Sequence, residues 1–199
     1  MIAGVVDRLR TRVPSGGVVR GLVTLVMGTA MAQGLIVLTS PLITRLYDPS
    51  EVGSYSVAAS ILGILLTVTV LSYDWAIPLP REERDAAHVV ALCLALNVSL
   101  SAVAAILLLV FGDGLVRAVG APALVGFAVL IALSQLAGGT SLAFTGWAIR
   151  ARSFPTIARA RVGQSVTLIA TQIGFGLAGV GAFGLLVGDA VGRLTAATL

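Results

Sequence analysis

The sequence predicts an all-α fold, a polytopic transmembrane helical bundle of about six helices, and three observations predict it. The chain is 57% hydrophobic and only 11% charged, with a mean hydropathy of +1.02, whereas a soluble domain carries roughly 25% charged residues. Its apolar residues come in long runs free of charge, from Arg20 to Arg45, Glu51 to Asp74, Asp85 to Asp113, Arg117 to Arg150 and Arg161 to Asp189. About 20 apolar residues in a helix cross a hydrocarbon core of about 30 Å, and a helix satisfies its own backbone there. The alternating pattern of a membrane β-barrel is absent.

The runs divide into spans at 19–45, 52–77, 87–111, 121–149, 161–178 and 181–199, after an N-terminal segment 1–18. Each division rests on local punctuation. Asp48-Pro49-Ser50 separates the first two spans, and Pro78 and Pro80 close the second. Gly112-Asp113-Gly114 is expected to end the third, and Gly120-Ala121-Pro122 to open the fourth. Gly179-Val180-Gly181 makes the last hairpin. Pro41 removes a backbone bond within the first span and is expected to kink it.

All 13 basic residues are arginines, and they sit at the ends of apolar runs. Arg8, Arg10, Arg12, Arg20, Arg81, Arg84, Arg150, Arg152, Arg159, Arg161 and Arg193 fall on one side of the bundle, against Arg45 and Arg117 on the other. The positive-inside rule makes the first side cytoplasmic, both termini included. A basic pI of about 10.2 therefore reports topology, and nucleic acid is not an expected partner. The segments Asp7–Arg12 and Arg150–Arg161 read as interfacial, lying along the bilayer surface, with recognition of a lipid headgroup the sharper alternative.

Catalysis is not expected. Cys93 and His88 are each the sole residue of their type, which excludes a disulfide and most metal or triad chemistry, and no cofactor motif is present. The chemistry lies instead in polar stripes within the spans. At about 100° per residue, Thr29, Gln33, Ser40 and Thr44 share one face of the first span. Ser56, Ser60, Gly63 and Thr67 share one face of the second, with Asp74. Cys93, Asn97 and Ser101 share a face of the third, Ser134, Gly138, Ser141 and Thr145 of the fourth. Gln164, Thr167 and Thr171 share a face of the fifth, and Gly184, Gly188 and Gly192 align in the sixth. Small residues and hydroxyls serve helix packing, which is the favoured reading of the glycine row. The amides Gln33, Asn97, Gln135, Gln164 and Gln172 are larger than packing requires and are candidates for a hydrated cavity. Asp189 lies deep in the membrane, where an ionised group costs at least roughly 2.5–3.5 kcal/mol. Either Arg193, one turn on, neutralises it, or it exchanges a proton or ion.

The stretch Arg45-Leu46-Tyr47-Asp48-Pro49-Ser50-Glu51-Val52-Gly53-Ser54-Tyr55 is similar to the helix 1–2 junction of bacterial oligosaccharide flippases. These are the O-antigen and capsule repeat-unit exporters of the multidrug/oligosaccharidyl-lipid/polysaccharide superfamily. Tyr73-Asp74-Trp75-Ala76-Ile77-Pro78-Leu79-Pro80 also resembles their second helix end, and the basic loop followed by the polar stretch Arg159–Gly179 fits their order. Val52 departs from the aromatic expected in the junction. The resemblance implies translocation of a polyprenyl-diphosphate-linked oligosaccharide across the bacterial cytoplasmic membrane by alternating access, for polysaccharide biosynthesis. It makes Arg20, Gln33, Arg45 and Asp74 candidates for the substrate path. Family members have 12 or 14 helices in two lobes, so it also implies an N-terminal lobe completed by a second lobe or a second copy of the chain. A cation-coupled multidrug exporter of the same superfamily and a non-transporting membrane scaffold are the alternatives.

Overall fold

A computed structural model describes residues 16–70, 77, 79–80, 82–119 and 128–199. Among them the chain is all-helical: α1 (Gly16–Leu46), α2 (Pro49–Val70), α3 (Glu83–Val119), α4 (Ala128–Arg150), α5 (Phe154–Leu177) and α6 (Ala182–Thr198).

The helices meet at turns written in the sequence. Asp48 precedes Pro49, which stands at the first helical position of α2, where its missing N–H costs nothing. The Asp48 N–H donates to Glu51 Oε2 at 2.9 Å, half of a capping box. At the end of α4 the Ser153 N–H reaches back to Ala148 O at 2.8 Å while Arg152 takes a φ of 53°. The α5–α6 turn repeats the device: the Val180 N–H donates to Phe175 O at 3.2 Å, and Gly179 supplies a φ of 67° without steric penalty.

Two expected boundaries are corrected. Gly112-Asp113-Gly114 does not end α3, which runs on to Val119, because a glycine inside a helix costs only about 1 kcal/mol and does not stop it. The segment Arg150–Arg161 is not a surface loop. Only 151–153 connect α4 to α5, and Arg159 and Arg161 stand within α5, which begins seven residues earlier than expected, with Pro155 in its first turn. The expected ends of the second span and the start of the fourth, with Asp74, lie outside the described residues. α1 continues through Pro41.

Four helices, α1 to α4, are long and apolar enough to cross a membrane. α6 has 17 residues, about 26 Å at 1.5 Å per residue, short of a full core. α5 carries Arg159, Arg161, Gln164 and Gln172, and its apolarity falls short. These two helices form the most extensive pair in the bundle. α6 also packs on α4 and α2, α3 packs on α4, and α1 packs chiefly on α5.

The glycine row of α6 explains the central pair. A Cβ at Gly184 would lie 2.4 Å from Phe175 Cβ, one at Gly188 2.5 Å from Gln172 Cγ, and one at Gly192 2.9 Å from the Gln164 carbonyl. The row therefore faces α5 and brings the two backbones together, the small-residue packing of helices in lipid. A compact apolar cluster of Ala58, Leu62, Leu108, Ala128, Ile131 and Leu186 joins α2, α3, α4 and α6. By contrast α1 is nearly bare, with Val37 69% and Leu38 78% exposed.

Gly192→Val should drive α5 and α6 apart and lower stability by about 1–3 kcal/mol, the range for overpacking. Gly63→Val, where a Cβ meets open space, should leave the thermal unfolding midpoint of the detergent-solubilised protein nearly unchanged.

Candidate functional site: a polar cleft and dry seams

The polar residues singled out in the sequence separate into distinct places. A cleft of about 490 Å³ opens between α1, α4 and α5, lined by Leu25, Thr29, Ala32, Gln33 and Ile36, by Thr145 and Ile149, and by Ile157, Arg161, Gln164, Ser165 and Leu168. It gathers the stripes of three helices into one wall. Gln33 is exposed and Gln164 half-buried. The Thr145 and Ser165 hydroxyls donate back to Ser141 O (2.7 Å) and Arg161 O (3.2 Å), leaving their lone pairs to the cleft. Arg161 is the charged member of the lining.

The sequence places Arg161 in an interfacial segment, with a lipid headgroup as the sharper alternative, and not among the cavity residues. The signal that finds it is its spacing: Ile157, Arg161, Gln164 and Leu168 follow one another at three or four residues, one face of a helix. Arg159, two positions earlier, falls on the far side.

Asn97 lies elsewhere, in a tight seam between α3 and α4, and Gln135 is buried on α4, outside the cleft lining. Asn97 is 2% exposed, and its Nδ2 donates to Leu136 O at 2.8 Å and to Thr140 Oγ1 at 3.3 Å. Gly139 makes room for it, since a Cβ there would fall 2.1 Å from Asn97 Oδ1. Gln135 is fully buried, and Ser101 and Ser134 are buried beside them in sequence register. Among the described residues, Asn97 Oδ1, Ser101 Oγ and Ser134 Oγ accept no hydrogen bond.

Gln172 belongs to the α5–α6 interface, whereas Asp189 lies on a side of α6 near Tyr55 of α2. Gln172 Nε2 donates to Leu185 O at 3.1 Å, and the Tyr47 hydroxyl donates to Gln172 O at 2.6 Å. Tyr47 fits between two glycines, because a Cβ at Gly176 would lie 3.0 Å from its ring and one at Gly184 2.9 Å from its hydroxyl. Burial, with the nearby Glu51 carboxylate second, raises the Tyr47 phenol above its ordinary value. Glu51 also approaches the hairpin glycine Gly181. The junction between α1 and α2 is thus fastened to the α5–α6 turn.

Asp189 pairs with Arg193 one turn along α6, Nε to Oδ2 at 2.7 Å. The pair is the internal neutralisation that the spacing suggested. Arg193 also reaches α4, where its Nη1 would lie 3.2 Å from a Cβ at Gly138.

The remaining candidates do not converge on the cleft. Arg20 and Arg45 are exposed near opposite ends of α1, about 37 Å apart at 1.5 Å per residue, so one headgroup cannot meet both. The α2 stripe faces outward: Ser56, Ser60, Gly63 and Thr67 are exposed, and the three hydroxyls donate to Val52, Ser56 and Gly63 carbonyls of their own helix. At one end of the bundle, Arg150 donates from Nη2 to Glu82 O at 3.2 Å and from Nη1 to Pro80 O. It ties the end of α4 to the connection between α2 and α3.

No family model, curated protein or solved structure matches the chain.

Removing one member of a buried pair strands the other charge, at a cost of about 3–5 kcal/mol. Arg193→Gln should therefore destabilise strongly. Arg193→Gln with Asp189→Asn should recover most of the loss in thermal unfolding of the purified protein.

Proposed function

We propose that the chain forms a transport lobe of the bacterial cytoplasmic membrane, both termini cytoplasmic, which translocates a polyprenyl-diphosphate-linked oligosaccharide by alternating access for polysaccharide biosynthesis. The observation that carries the reading is the cleft between α1, α4 and α5. Its Gln33, Gln164, Thr29 and Thr145 offer exchangeable hydrogen bonds to sugar hydroxyls, and Arg161 offers a planar, permanently charged donor set suited to phosphate oxygens. The apolar members, Leu25, Ile36, Ile149 and Leu168, give the lining no strong hold on a sugar, as passage requires. The similarity of the Arg45–Tyr55 junction to oligosaccharide flippases supports the same reading. The outward α2 stripe fits a face that a second lobe or a second copy of the chain completes.

A cation-coupled drug exporter is the competing reading, and it needs a membrane-embedded acid free to exchange its ion. The Asp189–Arg193 pair weighs against it, because the guanidinium 2.7 Å away already neutralises the carboxylate.

Reconstitution of the full-length protein into vesicles with a polyprenyl-diphosphate glycan distinguishes the two. Translocation should fall by about ten- to a hundredfold in Arg161→Ala, the scale of a lost charged hydrogen bond, while the Asp189→Asn, Arg193→Gln double variant, which strands no charge, keeps most of its rate. Unchanged flux in Arg161→Ala would remove the cleft from the path. Loss of flux in the double variant, with stability intact, would favour ion coupling through Asp189.

A further inference from the structure

On the other side of the α1–α5 contact lies a second groove, of about 550 Å³, lined by Thr24, Met27, Gly28 and Met31 of α1 and by Pro155, Ala158, Arg159 and Val162 of α5. It is separated from the cleft by the close crossing of Gly28 on Ala158, where a Cβ on the glycine would lie 2.6 Å from Ala158 Cβ. Its walls are apolar apart from Thr24 and Arg159. Met27 and Met31 are 68% and 55% exposed, and unbranched thioethers mould themselves to a flexible chain. The Thr24 hydroxyl is turned back to Arg20 O at 2.9 Å, so the groove offers that chain no competing donor.

Arg159 supplies the polar end. It stands in the second turn of α5, exposed, with a long hydrogen bond of 3.4 Å from Nη2 to Thr156 Oγ1. Among the described residues no acid lines the groove with it. A cation beside an apolar furrow, near the end of a bundle where arginines collect, complements a single negative phosphate with an acyl chain attached.

We infer that this groove binds one anionic phospholipid of the surrounding bilayer, its phosphate on Arg159 and an acyl chain along Met27, Met31 and Val162. The site is separate from the transport cleft, since Arg159 and Arg161 project to opposite sides of α5. It gives Arg159 a role beyond topology: a bound lipid covers the exposed side of the α1–α5 contact.

Native mass spectrometry of the purified protein, with phosphatidylglycerol and phosphatidylcholine added in turn, tests this. The wild-type chain should retain phosphatidylglycerol preferentially. Arg159→Gln should reduce that retention by about tenfold, the scale of one charge-assisted contact, while Arg159→Lys keeps much of it. Met31→Trp should lower retention of both lipids by filling the furrow. Arg161→Ala should leave lipid retention unchanged whatever it does to transport, which keeps this outcome independent of the proposed function. Equal retention of the two lipids by wild type, or undiminished phosphatidylglycerol binding in an Arg159→Gln protein with a normal unfolding midpoint, would overturn the inference.

Discussion

The close approach of α5 and α6 across the Gly184–Gly188–Gly192 row is the contact on which the rest of the bundle depends. Helices in hydrocarbon gain little from burying apolar side chains, since lipid is as apolar as leucine. Association rests on backbones that pass near one another and on polar groups that find partners. The α5–α6 hairpin supplies both. Gly184 and Gly188 admit Phe175 and Gln172, Gln172 bonds Leu185 across the interface, and its own carbonyl receives Tyr47 from the α1–α2 junction. α4 then docks on α6, α3 on α4, and α1 along α5. The two least membrane-like helices are therefore central, because a helix sheltered by its neighbours can carry more polarity than one facing lipid.

That arrangement also explains why residues of similar polarity have different fates. Asn97 lies in a seam closed by Gly139, and Gln172 in one opened by Gly184 and Gly188. Gln33 and Gln164 line one open cleft. The α1–α5 contact is tight at Gly21–Phe154, at Gly28–Ala158 and, at the far end, at Leu46–Gly176, with the cleft on one side of it and the methionine-lined groove on the other. A single arginine pair, Arg159 and Arg161, serves the two sides because two residues on a helix turn through about 200°.

Much of the fold was legible. Charge-free runs located the helices, Asp48-Pro49 and Gly179-Val180-Gly181 marked turns that form, and the glycine row announced a packing face. The misreadings have physical causes. Gly112-Asp113-Gly114 looked like a stop, yet glycine and aspartate only weaken a helix, and α3 continues through them. The arginines at 159 and 161 looked like a loop because charge was weighed above periodicity, and Pro155 at a helix start was missed. The stripes were legible as stripes, but not which ones face each other. Periodicity fixes a residue's face on its own helix and says nothing of the neighbour. Hence Gln33 and Gln164 share a cleft, Asn97 and Gln135 are sealed away, and the Ser56–Thr67 stripe lies outside.

Polar residues within these spans divide into one wet cleft and several dry seams. Labelling of single cysteines at positions 33, 97 and 164 by a small polar maleimide, with Cys93 replaced and the protein in its native membrane, tests this division most directly. Rapid labelling at 33 and 164 with protection at 97 is the predicted result. Protection at all three, or reaction at 97 as fast as at 33, would contradict the account.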